Sequence, residues 1–91
     1  TRNLWGMKYD EVRGDMIVFG DEKNDEVLNL YRLSEQDGSL TKLTDVPYIY
    51  GWDFSKDKSK IVYIARFGDN QPYKNFLTIL DLETSKSVEV I

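Results

Sequence analysis

The residues with most to offer chemically are carboxylates. The chain of 91 residues carries 16 Asp and Glu against 12 Lys and Arg, a net charge of −4, with no His and no Cys. Without His there is no Ser-His-Asp or Cys-His nucleophilic machinery, and without His or Cys the usual zinc ligands are missing. Lack of Cys also removes disulfides. Acid–base work would fall to carboxylate pairs, as in glycoside hydrolysis, which needs two of them about 5 Å or about 6.5–9.5 Å apart with one pKa raised. The acidic residues here sit mostly in loops and turns, which does not favour that arrangement.

The densest acidic stretch is Gly20-Asp21-Glu22-Lys23-Asn24-Asp25-Glu26. Asp21, Lys23 and Asp25 fall at alternate positions, the spacing of an oxygen-ligand loop for a hard cation. An EF-hand loop needs an acid or amide where Lys23 stands and a Gly after the third ligand, so the pattern fails. The stretch reads as a solvated loop in which Asp21 and Asp25 are candidate ligand contacts. Asp69, beside Asn70, occupies the matching loop of the second half, with Tyr73 just beyond it; both are further candidates for binding. Lys56, Lys58 and Lys60 form a short basic run that reads as a solvated turn and strand edge. The net negative charge disfavours a phosphate-backbone partner, so no nucleic acid is expected. Trp5, Tyr9, Tyr31, Tyr48, Tyr50, Trp52, Tyr63, Phe67 and Tyr73 could stack bases or sugars. At alternating strand positions they read better as packing residues, with Tyr50 and Tyr73, near segment ends, expected to be exposed. There is no Gly-x-Ser-x-Gly elbow and no phosphate-cradling glycine loop. No catalytic residue, metal site or cofactor is expected. No apolar run approaches the ~20 residues needed to span a bilayer, so no membrane is expected as a partner.

The elements that must position these side chains read as strands throughout. Asn3–Tyr9, Met16–Phe19, Val27–Leu33 and Leu40–Thr44 are short runs of apolar and β-branched residues separated by turn residues, and so are Tyr48–Phe54, Lys60–Phe67, Phe76–Leu82 and Ser87–Ile91. Gly14 supplies a permissive backbone between the first two, and Asp37-Gly38 reads as a two-residue turn. Nowhere do apolar residues recur at i, i+3, i+4, i+7 for long enough to prefer a helix. Trp5 aligns with Trp52 and Asp10 with Asp57 at an offset of 47, Gly20-Asp21 with Gly68-Asp69 at 48, and Leu30–Leu33 with Ile79–Leu82 at 49. A period in the forties with four short strands per unit predicts propeller blades. The expectation is an all-β chain of two four-stranded antiparallel β-propeller blades, residues 1–45 and 46–91, within a larger propeller of six to eight blades. Two blades cannot close a ring, so the remaining blades would come from a longer parent chain or from oligomerisation; otherwise the two sheets would close on one another as a sandwich.

Leu43-Thr44-Asp45, Trp52-Asp53-Phe54-Ser55-Lys56-Asp57 and Lys60-Ile61-Val62-Tyr63-Ile64 resemble the WD40-like repeat of TolB-type propellers. They are also similar to the propeller of the prolyl oligopeptidase family, above all its acylaminoacyl and dipeptidyl peptidase branches. Asp81-Leu82-Glu83-Thr84-Ser85 is similar to the Asp-Leu-x-Thr-Gly that closes those repeats. The departures are Lys56 in place of the usual Pro, Lys58 in place of the turn Gly, and Ser85 in place of the final Gly. The resemblance spans nearly the whole chain. It implies a non-catalytic segment that gates or positions peptide substrate for an associated α/β-hydrolase serine peptidase, the chemistry lying in that separate domain. The alternative it implies is a TolB-like scaffold that binds a peptide or protein ligand without enzymatic activity. The first would be cytoplasmic, the second periplasmic or extracellular.

Overall fold

The fold follows from eight short runs of strand-forming residues, each ended by a turn that its own side chains stabilise. The computed structural model describes residues 3–21, 27–68 and 72–90, with side chains from residue 6 onward. The chain is all-β: β1 (Asn3–Asp10), β2 (Asp15–Asp21), β3 (Asn29–Leu33), β4 (Leu40–Lys42), β5 (Ile49–Phe54), β6 (Lys60–Phe67), β7 (Lys74–Asp81) and β8 (Lys86–Glu89). They form two four-stranded antiparallel sheets, β1-β2-β3-β4 and β5-β6-β7-β8, each in chain order. The chain divides into two compact units, Thr1–Asp45 and Val46–Ile91.

Both sheets have a β-bulge in their first strand, between Leu4 and Gly6 in one and between Ile49 and Gly51 in the other. Register through the bulges makes Gly6 equivalent to Gly51 (51 − 6 = 45) and Phe19 equivalent to Ile64. In the last two strands Tyr31 is equivalent to Thr78 and Lys42 to Glu89, an offset of 47. The expected match of Trp5 with Trp52 is therefore corrected. Trp5 is the bulge residue, as Tyr50 is in the second sheet, and Trp52 corresponds to Met7. Two large aromatics of one type suggested an alignment that pairing does not respect, because a bulge adds a residue without changing the ladder on either side.

Three turns share one design. Asp10, Ser34 and Asp81 each begin a turn whose fifth residue, Gly14, Gly38 or Ser85, has positive φ and donates its N–H to the first residue's carbonyl at 2.7–2.9 Å. The first residue's side chain accepts from the backbone two positions on. Asp37-Gly38 is thus not a two-residue turn: Ser34 and Ser39 close a longer loop in which Gly38 takes the left-handed position. The same conformation is strained for a side chain by about 1–2 kcal/mol. Gly14→Val is expected to cost about that much, since a Cβ there meets nothing and only backbone strain acts. Ser85→Gly, at φ +61 in the equivalent turn, is expected to stabilise by about 0.5–1 kcal/mol after the entropy of the unfolded chain is included. Urea midpoints of both variants check the pair; a destabilised Ser85→Gly would mean its hydroxyl matters more than its backbone.

The β5–β6 turn is built differently. Lys58 takes the left-handed position at φ +60. The Asp57 carboxylate accepts from the Ser59 N–H at 3.0 Å, the Ser59 hydroxyl at 2.8 Å and the Ser55 hydroxyl at 2.9 Å. The Ser59 backbone and hydroxyl, then Ser55, pull the Asp57 carboxyl down to about 2. Asp37 is lowered in the same direction, first by the Ser39 backbone N–H. A carboxyl lowered by folding stabilises the fold when ionised, so its contribution is complete above its ordinary range and lost as pH falls through about 2. A carbon-detected NMR titration is expected to place the Asp57 midpoint near 2; a midpoint in the ordinary carboxylate range would disprove the turn geometry.

Burial differs between the two sheets. Successive residues of a strand point to opposite faces. Ile17 and Val18 are both buried, as are Leu30 and Tyr31, so β2 and β3 are covered on both faces. A buried polar pair closes the first sheet: the Thr44 hydroxyl donates to Asn29 Oδ1 at 2.7 Å and accepts from the Leu30 N–H at 3.0 Å. Thr44 thus extends the ladder one step past β4 with its side chain, a structural role for the Leu43-Thr44 pair. In the second sheet one face is buried through Ile49, Ile61, Tyr63, Ala65, Thr78 and Leu80. Trp52 on that face is half-buried rather than enclosed, its ring edge-on to Phe54 at 6.4 Å. The opposite face is open: Ile64, Val88 and Val90 are exposed by 39–65%, and Val62 and Leu77 are half-buried. Val62 and Leu77 are the equivalents of Ile17 and Leu30, both wholly buried in the first unit.

Candidate functional site

At one end of the second sheet, three tyrosine side chains converge on a single positive charge, that of Arg66. The bulge between Ile49 and Gly51 makes this possible. An unbroken register from the Trp52–Tyr63 pair would set Tyr48 opposite Phe67; the inserted residue sets it opposite Arg66, whose N–H donates to the Tyr48 carbonyl at 2.8 Å. Tyr48 and Tyr50 then both lie beside Arg66, their rings 6.2 Å apart and edge-to-face at 88°. Tyr73, one residue before β7, comes in from the next hairpin. The Arg66 guanidinium carbon lies 4.3 Å from the Tyr48 ring centre, 4.3 Å from that of Tyr73 and 5.5 Å from that of Tyr50. Such contacts draw on the negative face of each ring and are worth about 0.5–1 kcal/mol apiece near the surface.

The electrostatics of the cluster is one-sided. Among the described residues no carboxylate pairs with Arg66, and none of the three phenol hydroxyls is hydrogen-bonded to protein. A guanidinium whose neighbours are rings still carries its N–H donors in a planar fork that matches a two-oxygen anion. Arg66, Tyr48 and Tyr73 are half-buried, while Tyr50 is 59% exposed. The contrast with the first unit is direct. There Arg32 lies 3.4 Å from Asp15 and 3.6 Å from Asp10, and Arg13 lies 3.1 Å from Asp10.

Of the candidates read from the sequence, Tyr73 belongs to this cluster. Asp21 does not stand in a solvated loop. It is the last residue of β2, which runs two residues past its expected end, and it is 2% exposed. Asp25 and Asp69 lie outside the described residues. Among the described residues no group of three or more acids forms a metal centre. A shallow depression at the β5–β6 turn is lined by Ser55, Lys56, Asp57, Ser59 and Lys60. Its hydroxyls and carboxylate already bond to one another, so it is a by-product of the turn. Arg66 draws no attention in the sequence, where it closes an apolar run. The signal that leads to it is the hairpin pairing of residues 48–54 with 60–67, which sets two tyrosines beside the end of β6.

Compared with known protein families, curated proteins and solved structures, the chain matches none.

Proposed function

We propose that the two units are consecutive blades of a larger β-propeller whose task is to hold and position a peptide, with no chemistry of its own. In a parent protein that carries an α/β-hydrolase domain, the blades would gate or position peptide substrate for a serine peptidase. The observation that carries the reading is the repeat itself. Two four-stranded sheets follow in chain order with the same topology and a bulge at the equivalent place. The open face of the second sheet supports it, because Val62 and Leu77 on it are equivalent to Ile17 and Leu30, both buried in the first. An apolar face of that kind is what a following blade covers. The Arg66 cluster favours the second reading, a protein-binding scaffold of TolB-like type with no peptidase attached, as it offers donors that no acceptor among the described residues takes.

The blade reading is tested by joining three copies of this chain in tandem. Six blades that close should give ring-shaped particles by electron microscopy and one cooperative unfolding transition at higher temperature than the single chain. Beads on a string, each melting as the single chain does, would sink it. The non-catalytic reading predicts no labelling by a fluorophosphonate probe and no hydrolysis of peptide nitroanilides; turnover by the chain alone would overturn it.

A further inference from the structure

We infer that Arg66, with Tyr48, Tyr50 and Tyr73, is a carboxylate-binding seat, and that it takes the carboxylate of a peptide. The inference deepens the peptide-holding reading above and depends on it for the identity of the ligand alone. The cation is there, half-buried and steered by three aromatic rings at 4.3, 4.3 and 5.5 Å. What the described residues do not supply is the anion. Each of the other arginines described in detail, Arg13 and Arg32, is paired to aspartate, whereas among the described residues Arg66 has none. Partly burying a charge is costly unless it is paired, and the rings compensate only part of that cost.

The class of anion follows from charge and shape. One guanidinium supplies one positive charge and a planar fork, which matches a carboxylate bidentately. A phosphate dianion calls for more than one cation or a cradle of backbone N–H groups, and the chain as a whole is at −4. A peptide also brings apolar side chains. The Arg66 side chain shares its sheet face with Ile64 and Val62, and that face is the open one, flanked by exposed Val88 and Val90. An extended peptide with its carboxylate on Arg66 would lay its preceding residue against the exposed Tyr50 ring at this end of the sheet, and leave the rest of the face to a following blade.

The test is a titration of the native chain, followed by NMR of the arginine side-chain Nε–H signals. The probes are N-acetyl-glycyl-glycine, its amide, N-acetyl-aspartate amide and inorganic phosphate. The terminal carboxylate of the first probe, or the side-chain carboxylate of the third, is expected to shift the Arg66 signal saturably; comparing the two identifies which source the seat prefers. The amide is expected to bind about tenfold to a hundredfold more weakly. Arg66→Lys, which keeps the charge but not the fork, should weaken carboxylate binding about tenfold. Equal binding of acid and amide, a preference for phosphate, or no movement of the Arg66 signal would each overturn the assignment. Tyr73→Phe, which keeps the ring, serves if Arg66→Lys does not fold: removal of the phenol should weaken binding without changing which anion is chosen, and a reversal of that choice would also overturn it. A negative titration alongside a closed six-blade ring would remove this site and leave the propeller reading standing.

Discussion

Replacing Asp10 with alanine is expected to destabilise the first unit by about 3 kcal/mol. The carboxylate is wholly buried, yet it carries four tasks. One oxygen accepts from the Val12 N–H at 3.1 Å and the Arg13 N–H at 3.3 Å, which caps the β1–β2 turn. The other lies 3.1 Å from the Arg13 guanidinium and 3.6 Å from that of Arg32. Loss of a capping carboxylate alone costs about 1 kcal/mol. Breaking a buried ion pair costs about 3–5 kcal/mol because the remaining charge is left desolvated. Arg13 and Arg32 are 15% and 18% exposed and Arg32 keeps Asp15, so water and Asp15 relieve part of that, and the lower end applies. Asp10→Asn, which keeps an acceptor for the turn, should recover roughly a third to a half of the loss. Urea unfolding of each variant measures this. A cost for Asp10→Ala under about 1 kcal/mol would mean that the arginines find water on losing their partner and the buried network contributes little.

Truncating Ile61 should cost about 3 kcal/mol, and truncating Ile64 under 1 kcal/mol. Both lie in β6, three residues apart and on opposite faces. Ile61 is wholly buried and pairs with Leu80, also wholly buried. Removing its side chain leaves a cavity where neighbours cannot collapse, in the range of about 2–5 kcal/mol for such a change. Ile64 is 39% exposed, so water already reaches its surroundings and alanine leaves no cavity. Denaturant midpoints of Ile61→Ala and Ile64→Ala decide between the faces. Equal losses would show that Ile64 is covered in solution, by self-association or by a rearranged sheet. Measured again in the tandem chain, Ile64→Ala should become costly if the copies close as proposed, because a following blade would then lie on that face.

The all-β class, the eight strands and their turns were legible in the sequence for a local reason. Runs such as Ile61-Val62-Tyr63-Ile64 are too short and too β-branched for helix, and Gly14, Gly38 and Ser55-Lys56-Asp57 interrupt them. Among the described residues, the non-glycine residues with positive φ are Lys58 and Ser85, both in turns. Which residues correspond between the halves was not legible. Trp5 and Trp52 look equivalent, but one is a bulge residue and the other a paired one. A bulge has no side-chain signature of its own, since it is set by how two strands compete for hydrogen bonds across a ladder.

Composition and pattern alone determined that this chain is built from strands, that it lacks His and Cys chemistry, and that its turns sit where Gly, Asp and Ser sit. Those properties depend on neighbours a few residues apart. Only the tertiary structure decided that Asp10 and Asp21 are buried and that one face of the second sheet is open. It also decided that Arg66 sits among three tyrosines drawn from two different hairpins, with no carboxylate partner among the described residues. Burial and charge pairing depend on which strands meet and in what register. A shift of a single residue, such as the one the bulge before Gly51 makes, turns a tyrosine from facing Phe67 to facing Arg66.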